Sequence, residues 1–171
     1  MKTLVVHPGD PSTEFLAGIY AGRNWMVARQ ADALTETALR AAMARHARVI
    51  LLGHGSPDGL FDYRMGDFAV DKRLVPDLRE KICVCIWCHA DQFVRAHKLQ
   101  SPFHTGMFIS DPAEARLYGV RATARQIQVS NRRFGEIAGE HLDCGGRSMI
   151  VEAYRGLNTV AAFNAARMFS T

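Results

Sequence analysis

The chain lacks the features that would assign its class at a glance. No apolar stretch approaches the roughly 18 residues that a membrane span requires, so no spanning helix is expected. No basic block is present either: 21 Lys and Arg against 17 Asp and Glu leave a net charge of only +4, scattered over 171 residues. That balance argues against nucleic acid as a partner. The densest basic pair, Arg132-Arg133, falls in an expected helix and reads as a solvated face. Cysteine is scarce, and three of the four residues share one apolar segment, which is unlike a disulfide framework. Cys85 and Cys88 have C-x-x-C spacing, but no second pair follows to complete a zinc site. G-x-G-x-x-G is missing from the first strand–helix turn, and G-x-x-x-x-G-K-[ST] is missing throughout. There are no repeats, linkers or low-complexity segments.

What is present suits one folded domain spanning 1–171. Apolar content of 48% and charged content of 22% are ordinary for a globular chain of this length. The opening Met1-Lys2-Thr3-Leu4-Val5-Val6 has too short an apolar part for a signal peptide; it reads as a first strand of a cytoplasmic protein. Two unbroken apolar runs dominate the rest. Val49-Ile50-Leu51-Leu52 ends in Gly53-His54-Gly55-Ser56, and Ile82-Cys83-Val84-Cys85-Ile86-Trp87 ends in Cys88-His89-Ala90-Asp91. Continuous runs of this length are expected to be strands buried on both faces, as in a parallel sheet. Chemistry in such sheets lies just beyond the strands' C-terminal ends.

Further elements follow from local signals. Asp10-Pro11 predicts a helix over 11–20, with Asp10 as N-cap and Pro11 at its first position. A short second strand is expected at Asn24–Ala28. Apolar stripes predict helices over 32–46, 91–98, 123–142 and 157–168, with a short helix near Pro76. Asp62 to Val70 reads as irregular or hairpin-like, and Thr105–Ser110 as another buried strand before Asp111-Pro112, a further cap. The segment 148–154 fits neither pattern. The expected fold is a three-layer α/β domain, a mostly parallel central sheet flanked by helices, Rossmann-like in layout.

Candidate chemistry therefore sits at the strand ends: His7, Asp10, His54, Ser56, Cys88, His89, Asp91, Ser110 and Asp111. An imidazole beside Cys88 would favour the thiolate, as would the N-terminus of the helix that follows. The backbone N–H groups of Gly55 and Cys88 are candidates for an oxyanion hole. Two other readings compete. His7, His54 and His89, with Asp10, Asp91 or Asp111, would make a metal-dependent hydrolase if they converged. The Gly53–Gly59 loop would suit a phosphate, nucleotide or partner in a binding module without catalysis.

A hydrophobic strand ending in His-Gly, followed by a hydrophobic strand ending in Cys, resembles the caspase-like cysteine peptidases, which include caspases, gingipains, legumains, separases and bacterial CHAT domains. The residues that carry the resemblance are Val49–Gly55 and Ile82–Cys88, with Thr105–Ala115 similar to the later CHAT-type strand and helix start. Ile86, Trp87, His89 and Ala90 depart from the residues usual around that cysteine. The resemblance implies a His54/Cys88 dyad, a peptide or protein substrate and no metal or organic cofactor. It further suggests substrate contacts from Asp10, Ser110, His89 and Asp111, with Asp10 or Asp111 favouring Lys or Arg before the scissile bond.

Overall fold

In the computed structural model, which describes residues 1–64 and 66–171, the chain opens with β1 (Thr3–Val6), a 3-10 helix (Pro11–Ile19), β2 (Met26–Ala28), α1 (Glu36–Met43) and β3 (Arg48–Leu52). A small hairpin sheet follows: β4 (Gly55–Ser56), β5 (Gly59–Phe61) and β6 (Phe68–Asp71). Then come α2 (Val75–Leu78), β7 (Ile82–Ile86), α3 (Ala90–His97) and β8 (Phe103–Thr105). The chain closes with α4 (Pro112–Leu117), α5 (Ala124–His141), α6 (Gly146–Arg155), α7 (Thr159–Ala165) and β9 (Met168–Phe169).

The main sheet has the order β2-β1-β3-β7-β8-β9. All its pairings are parallel except β8 with β9. Because the chain steps outward from β1 to β2 and then crosses back to β3, the strand order reverses between β1 and β3. A crevice opens at such a point beyond the carboxyl ends of the two strands.

The apolar runs are double-sided for a simple reason: helices cover both faces. Val49, Leu51, Cys83, Cys85 and Trp87 pack with Leu39, Met43, Leu78, Phe93 and Val94 on one side. Ile50, Leu52, Val84 and Ile86 pack with Leu16, Ile19, Phe134, Ile137 and Tyr154 on the other. Successive side chains of a strand point to opposite faces, so each layer claims every second residue. This is the expected three-layer α/β domain.

One backbone contact fixes the position of the 3-10 helix, and with it the residues after β1. A Cβ built on Gly135 of α5 would lie 2.1 Å from the Phe15 carbonyl oxygen, and one on Gly139 would lie 2.6 Å from that of Gly18. Glycines one helical turn apart let the two segments meet backbone to backbone. Nine residues is long for a 3-10 helix.

Several local expectations need correction. The segment expected to be helical from Pro11 winds as 3-10 rather than α. The helix expected over 32–46 is shorter: residues 31–34 form turns, and Thr35 caps α1 by accepting from the Ala38 N–H. Thr105–Ser110 is not one strand. The ladder of β8 ends at Thr105, and the chain leaves the sheet as the Gly106 N–H bonds to the Arg167 carbonyl. The C-terminal helix stops at Ala165, because Met168–Phe169 adds to the sheet edge as β9. That antiparallel pairing depends on a partner far away in sequence, which local periodicity does not encode. The 148–154 segment lies within α6. The hairpin-like reading of 62–70 covers part of the β5–β6 connection, in which Met65 lies outside the described residues.

Candidate active site

His54 and Cys88 leave neighbouring parallel strands at the same edge of the sheet. β3 pairs with β7 in the register Leu52 to Ile86, so the two chains exit side by side. Both residues line one narrow crevice with Gly53, Thr13, Phe108 and Ser110, whose free volume is about 20 Å³. That is room for about one water molecule.

The His54 end is polar. Asp10 caps the 3-10 helix, its Oδ1 accepting from the Ser12 N–H at 2.8 Å and from the Ser12 hydroxyl at 2.7 Å. The Ser12 oxygen in turn lies 2.7 Å from His54 Nε2, and Asp10 Oδ2 lies 3.9 Å from the same nitrogen. The Ser12 hydrogen bonds and the nearby His54 and His7 rings hold the Asp10 carboxyl below its ordinary range, against the opposing effect of partial burial. Beneath this network His7 is fully buried, its ring nitrogens bonded to Tyr20 Oη at 3.0 Å and Thr13 Oγ1 at 3.1 Å. Burial, reinforced by the charge of Arg29, pushes the His7 pKa down to about 4.

The Cys88 end is apolar and only partly exposed. Its thiol donates to the Phe108 carbonyl at 3.4 Å. Burial pushes the thiol up to about 11, and the nearby carboxylates of Glu114 and Asp111 add to the rise. Phe15 and Phe108 stack over this region with ring centroids 6.2 Å apart. Trp87, the preceding residue, is buried and sends its indole N–H to the Ser56 carbonyl at 3.0 Å.

No family model, curated protein or solved structure matches this chain. The reading of the site therefore rests on the geometry.

Gly55 is required by packing, since a Cβ there would lie 2.2 Å from the Trp87 ring and 2.4 Å from the Gly59 carbonyl oxygen. Only glycine lets the hairpin lie on the indole. His89 carries the chain from β7 into α3 in the left-handed region, at φ 68°, and its Nδ1 meets the Gln92 side-chain amide at 3.3 Å. Such a backbone is uncommon for a residue other than glycine. Ser110 lines the crevice, its N–H and hydroxyl both donating to Glu114 Oε2 and its carbonyl accepting from Asn131. Asp111 forms a reciprocal capping box with Glu114 at the start of α4, accepting from the N–H groups of Ala113 and Glu114.

The histidines proposed as metal ligands do not converge: His7 is engaged with Tyr20 and Thr13, and His89 with Gln92. Among the described residues, no group of three or more His, Cys, Asp or Glu is placed to hold a metal ion. No helix among them is long and apolar enough to cross a membrane. Sequence reasoning missed Ser12 as a partner of His54, and missed the Phe15–Phe108 pair over Cys88. The Asp10-Pro11-Ser12 cap was visible as a helix start, but nothing in it pointed to an imidazole 42 positions away.

Proposed function

We propose that this edge is the active site of a caspase-like cysteine peptidase, or a related acyl-transferring hydrolase, in a closed resting form. One observation carries the reading: His54 and Cys88 leave adjacent parallel strands in register and line the same crevice. In this mechanism His54 takes the Cys88 proton as the thiolate attacks the substrate carbonyl carbon. The resulting oxyanion is stabilised by backbone N–H groups at the crevice, and the imidazolium then protonates the departing amine. Water attacks the thioester in the second half-reaction, releasing the acid and returning the proton to sulfur. The raised thiol pKa and the small free volume describe the enzyme before a substrate opens the Phe108–Ser110 segment. Opening would hydrate the sulfur and bring its pKa down. The substrate class is a peptide or protein. A cytoplasmic location belongs to the same reading, supported by four free cysteines and no disulfide among the described residues.

The test is labelling by peptidyl electrophiles across a panel of residues at the scissile position, followed by mass spectrometry. The reading expects covalent modification of Cys88 that is lost in Cys88→Ala and falls at least about tenfold in His54→Ala. Labelling that stays equal in wild type and His54→Ala for every member of the panel would remove the dyad. The crevice would then be a binding surface, with Cys88 a core residue like Cys83 and Cys85.

A further inference from the structure

Ser12 lies between a carboxylate and the imidazole of the proposed dyad, and the donors and acceptors available dictate the direction of every bond in that chain. The ionised Asp10 carboxylate has only acceptors to offer, so the Ser12 hydroxyl hydrogen must point toward Oδ1 at 2.7 Å. The Ser12 oxygen is then left with lone pairs toward His54 Nε2 at 2.7 Å. A nitrogen that close to a lone pair must carry its proton. The neutral ring is therefore the Nε2–H tautomer, with Nδ1 as its one basic nitrogen.

We propose that Ser12 is a positioning residue for His54, its Asp10-oriented hydroxyl holding the Nε2 proton so that Nδ1 is the nitrogen that handles the Cys88 proton. The role rests on the peptidase reading above. It differs from a helix cap in that the cap survives without the hydroxyl: the Ser12 backbone N–H reaches Asp10 at 2.8 Å on its own. Ser12→Ala therefore keeps the backbone cap on Asp10 and removes the two bonds of the hydroxyl, to Asp10 and to the ring. A threonine at this position restores the hydroxyl.

Two measurements on the full chain test the proposal. In 15N-labelled protein, the ring nitrogen shifts of His54 should report an Nε2-bound proton, a tautomer preference that is lost in Ser12→Ala and returns in Ser12→Thr. Labelling of Cys88 by the best peptidyl electrophile should fall about tenfold in Ser12→Ala, the equivalent of one hydrogen bond, and recover in Ser12→Thr. The double variant Ser12→Ala/His54→Ala should label no more slowly than His54→Ala alone, because Ser12 acts through the ring. An Nε2 proton unchanged in Ser12→Ala, or additive losses in the double variant, would overturn the proposal. If His54→Ala itself leaves Cys88 labelling unchanged, the peptidase reading fails; the Nε2 resonance then still decides whether Ser12 fixes the ring.

Discussion

The two halves of the proposed dyad stand side by side at the edge of one sheet, yet their surroundings are opposites. Around His54 the structure is polar: a carboxylate, a hydroxyl and an imidazole joined by short hydrogen bonds, resting on the buried His7. Around Cys88, partly exposed like His54, it is apolar: a protonated thiol beside the Phe15–Phe108 pair, following the buried Trp87. The imidazole is held in a defined orientation while the thiol is masked. The contrast arises from what covers each strand end. The 3-10 helix brings Asp10 and Ser12 over β3, whereas the segment after β8 lays Phe108 over the end of β7.

The largest test of this contrast concerns stability. Trp87 belongs to the core on the face of the sheet opposite Cys88, and its indole carries the hairpin at Gly55. Trp87→Ala should cost about 3–5 kcal/mol in urea denaturation, as large aromatic truncations do. His54→Ala, at a partly exposed position, should stay within about 1 kcal/mol. Similar losses for the two would erase the distinction between a core indole and a surface imidazole at this edge.

Next in size is a difference in pH response. His7 in the folded state titrates at about 4, below the ordinary 6.5, because burial disfavours the imidazolium. The unfolded chain therefore binds the proton first as the pH falls. The stability contributed by the neutral ring is complete above 6.5 and is lost between 6.5 and 4, by about 3 kcal/mol. Cys88 has the opposite sign: its folded pKa of about 11 lies above the ordinary 9, so its contribution is complete below 9 and lost as the pH rises toward 11. The polar half should weaken in acid and the apolar half in alkali. Urea midpoints measured from pH 7 down to 4 should fall in wild type and flatten in His7→Gln; an equal fall in both would show that His7 is not the group responsible.

The smallest effect sharpens the picture of a masked nucleophile. Phe108→Ala should let water reach Cys88, lower the thiol pKa toward its ordinary value and speed alkylation by iodoacetamide at pH 8 about tenfold or more. Cys83 and Cys85, buried within β7, should stay inert in the same digest. Unchanged Cys88 reactivity would mean that something other than the Phe108 segment shields the sulfur.

Much of this arrangement was legible in the linear chain. Val49–Leu52 and Ile82–Ile86 announced themselves as double-sided strands, and the His and Cys at their ends followed from the placement of chemistry in parallel sheets. Asp10 and Asp111 were readable as caps, since capping is settled within three residues. Less visible was whatever depends on distant partners. The strand β9 exists because β8 offers it an open edge, and Gly55 is required by an indole 32 positions away. Ser12 looked like an ordinary first-turn residue because its partner lies far along the chain, beyond the end of β3.

By itself, then, the sequence determined the layers: its alternation and continuity of apolar residues demand a sheet covered on both faces, since no other packing buries such runs. It also determined which residue types arrive at the sheet edge. Only the tertiary structure decided their states. The strand reversal between β1 and β3 brings Asp10 and Ser12 to the imidazole, and the close glycine contact between the 3-10 helix and α5 keeps them there. The path after β8 buries the thiol and holds its proton on. Charge and protonation follow from solvent exposure and neighbours, and both are properties of the folded chain.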